Sequence, residues 1–223
     1  MIPIAGVLTS DTLKKVKAEL KRGKFVDGKY SGGVFGGSAK KNLQLKREEN
    51  QGATAAELLV LQGLAANPLF QSFVRPRSIL PPTFAKYEPG MEYGGHVDSA
   101  LMGRGQTVRA DVSVTVFLNG TKEYDGGELS IATALGERRI KLEAGDAFVY
   151  PADLHHRVMP VTRGTRLVAV TWAQSVIRNP QLRQILHDLN AVTSSMIEKA
   201  PKAVETELLV KSIQNLMRLF SEI

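Results

Sequence analysis

The strongest constraint on the fold is a run of short apolar or alternating segments between residues 78 and 172 that no helical pattern interrupts. These segments are rich in β-branched residues and are bounded by Gly, Pro and Asp, which is typical of β-strands joined by turns. Such spacing favours an antiparallel barrel or sandwich of the jelly-roll type. The predicted strands are Ser78–Tyr87, Val108–Leu118, Gly127–Ala132, Arg138–Leu142, Asp146–Tyr150, His155–Pro160 and Thr165–Trp172.

Helical patterns flank this region on both sides. Ser10 can cap a helix that ends at Gly23, and a capping box at Thr54–Glu57 begins a second one. On the C-terminal side, Asn179-Pro180 combines an N-cap with proline at the first helical position, and Pro201 separates two further helices.

The sequence therefore predicts a mainly β fold with flanking helices (α+β), whose core is a double-stranded β-helix, or jelly roll. We expect an N-terminal helical and loop region over residues 1–77, a jelly-roll core over 78–177 and a C-terminal helical extension over 178–223. The last helix carries an apolar stripe of Leu, Ile, Met and Phe. That stripe is interpreted as core or, alternatively, as a face for a homo-oligomer.

Composition excludes several classes of function. The chain has 223 residues, a formal net charge of +7 and no Cys, which excludes disulfides, Fe–S clusters and thiol catalysis and fits a cytoplasmic location. No apolar run approaches the ~20 residues of a membrane span, and the N-terminus resembles no signal peptide. The positive charge is interpreted first as solubility and next as a cleft for anionic small molecules. No nucleic-acid motif accompanies it.

The pair His96 and Asp98 indicates a metal site. Residues two apart on a strand point to the same face, so the imidazole and the carboxylate can aim at one point. A third ligand is available at His155 or His156. If His156 points inward, so does Val158, whereas inward His155 would drive Arg157 into the interior without a partner, so His156 is preferred.

Arg166 follows on the next predicted strand, which is otherwise apolar. An Arg in a buried strand should face an anion, and its planar guanidinium can grip a carboxylate with two parallel hydrogen bonds. Two His and one carboxylate form the facial triad of non-haem Fe(II) oxygenases. Zinc hydrolases also use these ligand types, so the triad alone does not identify the metal.

The motifs resemble the Fe(II)/2-oxoglutarate dioxygenases of the prolyl/lysyl hydroxylase-domain (PKHD) type, and most of all the bacterial hydroxylases associated with iron uptake. The resemblance is dense from Phe84 to Arg178 and extends to Asn42-Leu43-Gln44-Leu45. Its main motifs are Tyr87-Glu88-Pro89-Gly90, Tyr93-Gly94-Gly95-His96-Val97-Asp98, Tyr124-Asp125-Gly126-Gly127-Glu128 and the segment from His156 to Arg166.

This resemblance implies that His96, Asp98 and His156 bind Fe(II) and that Arg166 holds the distal carboxylate of 2-oxoglutarate. Tyr87 is implied as a second donor to that carboxylate, and L-ascorbate as a reductant. The family usually has one His where this chain has His155-His156, and the flanking motifs align the second of them. The implied activity is hydroxylation with release of succinate and CO2.

Other residues are candidates for substrate contacts or for support of the metal ligands. Arg109, Ser113 and Thr115 share one face of a predicted strand, which either lines the interior or is the solvated face of an edge strand. Asn42 and Trp172 are further candidates, although Asn42 equally suits a hydrogen bond within a loop.

Two rival functions use the same residues. A non-enzymatic iron or 2-oxoglutarate sensor would need the same pocket, and a zinc-dependent hydrolase of similar fold would leave Arg166 without a role. The substrate stays open between a peptidyl or amino-acid side chain and an iron-chelating small molecule, because a fold does not specify a substrate.

Overall fold

A computed structural model describes residues 1–31, 39–47, 54–103 and 107–222 of the chain. A 3₁₀ turn spans Gly28–Ser31. The helices are α1 Ser10–Arg22, α2 Ala55–Ala66, α3 Pro68–Val74, α4 Pro180–Lys199 and α5 Val204–Phe220. The strands are β1 Ile2–Ile4, β2 Phe25–Asp27, β3 Lys40–Lys41, β4 Leu43–Leu45, β5 Pro76–Ile79, β6 Thr83–Tyr87, β7 Glu92–His96, β8 Leu101–Met102, β9 Val108–Arg109, β10 Val112–Phe117, β11 Tyr124–Gly126, β12 Leu129–Thr133, β13 Gly136–Ile140, β14 Ala147–Pro151, β15 His156–Val158, β16 Val161–Gly164 and β17 Arg166–Ser175.

Two antiparallel sheets form the core and confirm the predicted jelly-roll class. The larger sheet has the order β1-β14-β10-β17-β6-β4-β2, with β5 paired to β17, and the smaller one has the order β13-β12-β15-β7-β3. Strand β17 is central, because Val170 lies opposite Thr115 of β10 on one side and Thr83 of β6 on the other.

Both faces of the larger sheet are covered, which explains why β10 reads as a continuous buried strand. Val112, Val114 and Val116 pack with Val16 and Leu64 of the N-terminal helices. On the opposite face, a second cluster joins side chains of the two sheets and fills the space between them. Its members include Phe117, Phe148, Leu129, Ile131 and Val158.

The N-terminal region contributes strands as well as helices: its strands β1 to β4 extend the two sheets. β1 pairs with β14 of the core. The segment 40–45 passes from one sheet to the other: β3 pairs with β7 of the smaller sheet, and β4 pairs with β6 of the larger sheet. This segment thus closes one side of the space between the sheets, and its alternate residues face that space.

Helix boundaries follow local capping chemistry. Thr9, not the expected Ser10, is the N-cap of α1, since its hydroxyl accepts a hydrogen bond from the Thr12 amide at 3.2 Å. The capping box at Thr54–Glu57 is present as predicted. Helix α3 was not anticipated. Asn67 ends α2 and at the same time caps α3, whose first residue is Pro68.

The C-terminal helices α4 and α5 pack on each other around Ile177, Leu186 and Ile213. The chain end is fastened to the core, because the Glu222 amide donates to the Val176 carbonyl at 2.8 Å. Across the described ranges, none of the helices combines the length and apolarity needed to cross a bilayer.

Candidate metal centre

His96, Asp98 and His156 converge at one end of the space between the sheets. His96 is the last residue of β7 and His156 the first of β15, and the two residues lie directly opposite each other in the antiparallel ladder. Asp98 follows β7, and its Oδ1 lies 3.9 Å from Nε2 of His156. One ligand atom from each of the three residues lies within 4.8 Å of the others, so this group could hold a metal ion.

Backbone carbonyls determine the orientation of both imidazoles. Nδ1 of His96 lies 2.9 Å from the Gly94 carbonyl, and Nδ1 of His156 lies 2.9 Å from the Leu154 carbonyl. A carbonyl only accepts hydrogen bonds, so each Nδ1 carries the proton and each Nε2 keeps a lone pair. The two histidines thus present neutral donor nitrogens, which is the form that binds a metal.

Ser113 orients the carboxylate. Its hydroxyl, on the interior face of β10, donates to Oδ2 of Asp98 at 2.5 Å, which leaves Oδ1 directed toward the histidines. Ser113 is fully buried. A hydrogen bond of this kind to a ligand carboxylate fixes its rotamer and tunes its basicity.

The glycine pair before His96 is required by close packing on both sides of β7. A Cβ at Gly94 would lie 2.8 Å from the Cβ of Ala39, and a Cβ at Gly95 would lie 2.5 Å from Cε1 of His155. His155 therefore packs its ring over the Gly95 backbone at the rim of the site, while His156 points inward and is buried. The inward position of His156 agrees with the predicted strand alternation, whereas His155 is exposed but also borders the cavity.

Burial controls the electrostatics of the site. It lowers the pKa of His96 to about 4, with a further contribution from the neighbouring His156. The His96 ring stacks on Tyr93 with a centroid distance of 3.7 Å. Tyr150 packs edge-on against His156 at 5.2 Å, and burial raises its pKa well above the usual value. His96 therefore stays neutral, and Tyr150 stays protonated, at physiological pH.

Arg166 lies at the start of β17 and is only 2% exposed. Its guanidinium carbon lies 5.0 Å from the ring centroid of Tyr87 and 5.8 Å from that of Phe117. Among the described residues, its Nε finds no hydrogen-bond partner. Gly127, with a φ of +66°, leaves room for the arginine, since a Cβ there would lie 3.0 Å from Cδ of Arg166.

A single cavity of about 600 Å³ contains both the His-Asp-His group and Arg166. Its remaining wall is made of alternate residues of the strands that face the interior. These include Lys40, Asn42 and Gln44 of the segment 40–45, Thr83, Ala85 and Tyr87 of β6, and Val170 and Trp172 of β17. The cavity is therefore long enough to reach from the candidate metal ligands to the buried arginine.

The predicted supporting residues fall into two groups. Ser113 touches Asp98, and Thr115, Asn42 and Trp172 line the cavity. Arg109 does not belong to the lining. Its Nε donates to Asp111 at 2.7 Å and its Nη1 to Glu222 at 2.6 Å, so it connects the strand end to the chain terminus. The predicted common face breaks because Arg109 belongs to β9, which pairs with β8, and β10 begins only at Val112.

Sequence reasoning missed Lys40, Tyr93 and Tyr150 as residues of this cavity. Tyr150 was assigned to a strand without a role. Lys40 falls in a stretch that the sequence predicts as loop with short strands, and its alternation with Asn42 and Gln44 is the signal of an inward-facing strand. Burial lowers the pKa of Lys40 to about 8, against the opposite effect of Asp98.

Curated relatives match the chain over its whole length. A PKHD-type hydroxylase of Thermosynechococcus vestitus is 45% identical over 224 residues, with full coverage of both chains. Another from Picosynechococcus sp. is 45% identical over 219 residues, covering 98% of each. Residues 82–174 match the family described as the 2OG-Fe(II) oxygenase superfamily.

A solved structure supports the fold. A prolyl-4-hydroxylase of Pseudomonas putida superimposes with a TM-score of 0.56 at 23% identity, over 78% of this chain and 91% of that one. At this identity the likeness concerns the architecture alone, the double-stranded β-helix.

Proposed function

The chain belongs to the PKHD-type hydroxylases of the 2OG-Fe(II) oxygenase superfamily, and from this premise we propose how its residues carry out the reaction. The protein is a 2-oxoglutarate- and Fe(II)-dependent dioxygenase. We assign the metal to His96, Asp98 and His156, and the distal carboxylate of 2-oxoglutarate to Arg166.

The chemistry of the donor set fits Fe(II). Two neutral imidazole nitrogens and one carboxylate oxygen lie together on one side of a common point. Such a set occupies one face of an octahedral ion and leaves the other positions to exogenous ligands. A closed structural zinc site would instead use four protein ligands, and no fourth His or carboxylate joins this group within the described ranges.

The far end of the cavity fits the cosubstrate. Arg166 is buried between aromatic rings, and its Nε finds no acceptor among the described residues. A buried N–H of a guanidinium without an acceptor is costly, so an anion is expected beside Nε. Burial raises the pKa of the adjacent Tyr87, which therefore stays a hydroxyl donor for the same anion.

Asn42 and Trp172 offer further polar contacts. The Asn42 side chain is buried and interacts with the Tyr87 hydroxyl, and its amide makes no other hydrogen bond to a described residue. The indole N–H of Trp172 is also buried, and no acceptor for it lies in the described part of the chain. We assign Asn42 to the cosubstrate end. Trp172 is assigned to the metal end, since it lies opposite Ser113 in the ladder between β17 and β10.

When bound together, Fe(II) and 2-oxoglutarate supply the activation of dioxygen, with release of succinate and CO2. The protein positions and shields this chemistry. The Gly94 and Leu154 carbonyls hold the Nδ1 protons of the ligand histidines, and Ser113 holds the Asp98 rotamer. Leu129 and Val158 supply apolar walls that exclude water from the reacting centre.

One observation carries this proposal: the His-Asp-His group and the buried arginine share one cavity. The test is stoichiometry. With Fe(II) and dioxygen, the purified protein should convert 2-oxoglutarate into succinate, and L-ascorbate, which the family resemblance implies, should prolong turnover. Omission of Fe(II) or replacement of Asp98 by Ala should stop succinate formation. Turnover by the Asp98→Ala variant at the native rate would exclude the assigned metal site.

A further inference from the structure

A buried tyrosine lies beside the candidate metal ligands. Tyr150 belongs to β14 and is only 2% exposed, and it lines the same cavity as the metal-ligand group. Side chains alternate along this strand. Val149 packs with the N-terminal helices on one face of the sheet, whereas Phe148 and Tyr150 pack between the two sheets. The strand geometry therefore directs the Tyr150 side chain into the space that contains the cavity.

The ring of Tyr150 lies at the metal end of the cavity. It packs edge-on against the ring of His156, and the two centroids are 5.2 Å apart. In the ladder between β10 and β14, Tyr150 lies opposite Ser113, whose hydroxyl donates to Asp98. Tyr150 is thus next to one candidate metal ligand and one side chain away from a second.

The hydroxyl of Tyr150 lies between the two ends of the cavity. Burial raises its pKa, the carboxylate of Asp98 adds to this effect, and the guanidinium of Arg166 opposes it. The hydroxyl also interacts with Thr115, which follows Ser113 on the interior face of β10 and lines the cavity. Both ends of the cavity are therefore within electrostatic reach of this hydroxyl.

A bound 2-oxo acid would bring acceptor atoms to this position. With its distal carboxylate on Arg166 and its 2-oxo-acid group on the metal, the molecule spans the cavity past Tyr150. Acceptor oxygens in a buried site are costly without a donor. The single phenol proton of Tyr150 is attracted more strongly by a carboxylate than by a neutral hydroxyl oxygen. Thr115 can in turn donate its own proton to the phenol oxygen.

We propose that Tyr150 is a further cosubstrate-binding residue, whose hydroxyl donates a hydrogen bond to the metal-chelating 2-oxo-acid group of 2-oxoglutarate. The proposal rests on the proposed function, because it takes the His-Asp-His group to hold the metal and Arg166 to hold the distal carboxylate. Tyr150 then supplies a third contact between these two ends. Three contacts restrict the rotation of the cosubstrate and fix its orientation toward the open positions of the metal.

Anaerobic titration of the Fe(II)-loaded protein with 2-oxoglutarate tests this contact. Chelation of Fe(II) by a 2-oxo acid gives a visible charge-transfer band, whose growth measures affinity and whose position depends on the oxo-acid group. A hydrogen bond to that group stabilises the electron density that the transition moves onto it. Tyr150→Phe keeps the ring against His156 and removes only the donor. The variant should shift the band to shorter wavelength and weaken 2-oxoglutarate binding by about tenfold.

Two controls separate this contact from effects on the metal or on packing. Tyr150→Phe should bind Fe(II) without 2-oxoglutarate as the native protein does, because no metal ligand is changed. Ser130→Ala removes a hydroxyl that is equally buried but lies outside the cavity lining, and it should leave the band unchanged. A band that stays in place in Tyr150→Phe, or that moves to longer wavelength, would overturn the proposal even if affinity falls. Weaker Fe(II) binding by this variant would also overturn it, because the hydroxyl would then support the metal ligands.

The same titrations distinguish this result from a failure of the proposed function. If the native protein and Ser130→Ala bind Fe(II) but develop no band with 2-oxoglutarate, the function proposed for the cavity is wrong, and the assignment of Tyr150 fails with it. If both develop the band and Tyr150→Phe gives the same band with the same affinity, only the assignment of Tyr150 fails.

Discussion

His96 and His156 lie directly opposite each other on neighbouring antiparallel strands, and their ring centroids are 4.3 Å apart. This pairing brings together two histidines that are distant in the chain. Because each Nδ1 is held by a carbonyl in its own segment, the geometry of the pair depends on the register between β7 and β15. Changes that disturb that register should affect metal binding before they affect folding.

Replacement of Arg166 by Met should weaken 2-oxoglutarate binding by about 100-fold, which corresponds to about 3 kcal/mol for a hydrogen-bonded charge pair. Metal affinity should stay within a factor of about two, because no ligand is changed. Calorimetric titration of both ligands measures this. The control is Arg163→Met on β16, whose side chain is 60% exposed and pairs with Asp125. Native cosubstrate affinity in Arg166→Met would contradict the assignment.

Ser113→Ala should reduce metal affinity by about tenfold or more, because Asp98 loses the hydrogen bond that fixes its rotamer. Competition with a coloured chelator reports the change. Ser130→Ala is the matched control, since Ser130 is equally buried but lies outside the cavity lining. If both variants bind metal like the native protein, Ser113 does not orient the carboxylate.

Gly95→Ala should lower the affinity for metal, because the new methyl group would overlap the His155 ring and push β7 away from β15. The combined change Gly95→Ala and His155→Ala should recover most of that loss, which a double-mutant cycle quantifies. Independent, additive effects of the two substitutions would show that the contact between them does not position the site.

The metal-free protein should lose stability on acidification. The pKa of His96 is lowered from 6.5 to about 4 in the folded state, mainly by burial. Between these values the unfolded chain binds more protons than the folded one, so the free energy of unfolding falls as the pH falls from about 6.5 to about 4. Urea unfolding at several pH values measures this slope. It should be shallower in His96→Gln, and an equal slope would refute the assignment to His96.

Arg109→Met tests the role that the structure gives this arginine. The substitution leaves Asp111 buried without its cation and frees Glu222, so we expect a stability loss of about 2–4 kcal/mol, typical of breaking a largely buried pair. Affinities for metal and 2-oxoglutarate should be unchanged, since Arg109 does not line the cavity. The control is Arg139→Met, whose side chain is 58% exposed. Loss of 2-oxoglutarate binding in Arg109→Met would instead show that Arg109 supports the cosubstrate site.

The fold class and the membership of the oxygenase superfamily were predictable from the sequence, and the structure and the comparisons confirm both. Alternation on single strands also separated His156 from His155 and marked Arg166 as a buried cation. These inferences depend only on period-two geometry and on the cost of burying charge, which are properties of the local sequence. The metal and cosubstrate roles of these residues stay predictions.

The pairing of residues 40–45 could not be predicted from the local sequence. Strands β3 and β4 have only two and three residues, so their composition does not predict them. Their direction is set by their pairing with β7 and β6, which lie far away in the chain. Only that pairing directs the side chains of Lys40 and Asn42 toward the cavity. The prediction that Arg109 faces the interior was wrong, because Arg109 belongs to the separate strand β9 and the alternation of β10 does not extend to it.

The sequence by itself determined the strands, the turns and the residue types that a metal and an anion require, because those follow from side-chain chemistry at short range. The tertiary structure decided which distant segments face each other: His96 with His156, Ser113 with Asp98, and Lys40 with Tyr93. Strand register and sheet closure are collective results of packing, so no single segment encodes them. That packing places the His-Asp-His group, Arg166 and Lys40 around one cavity.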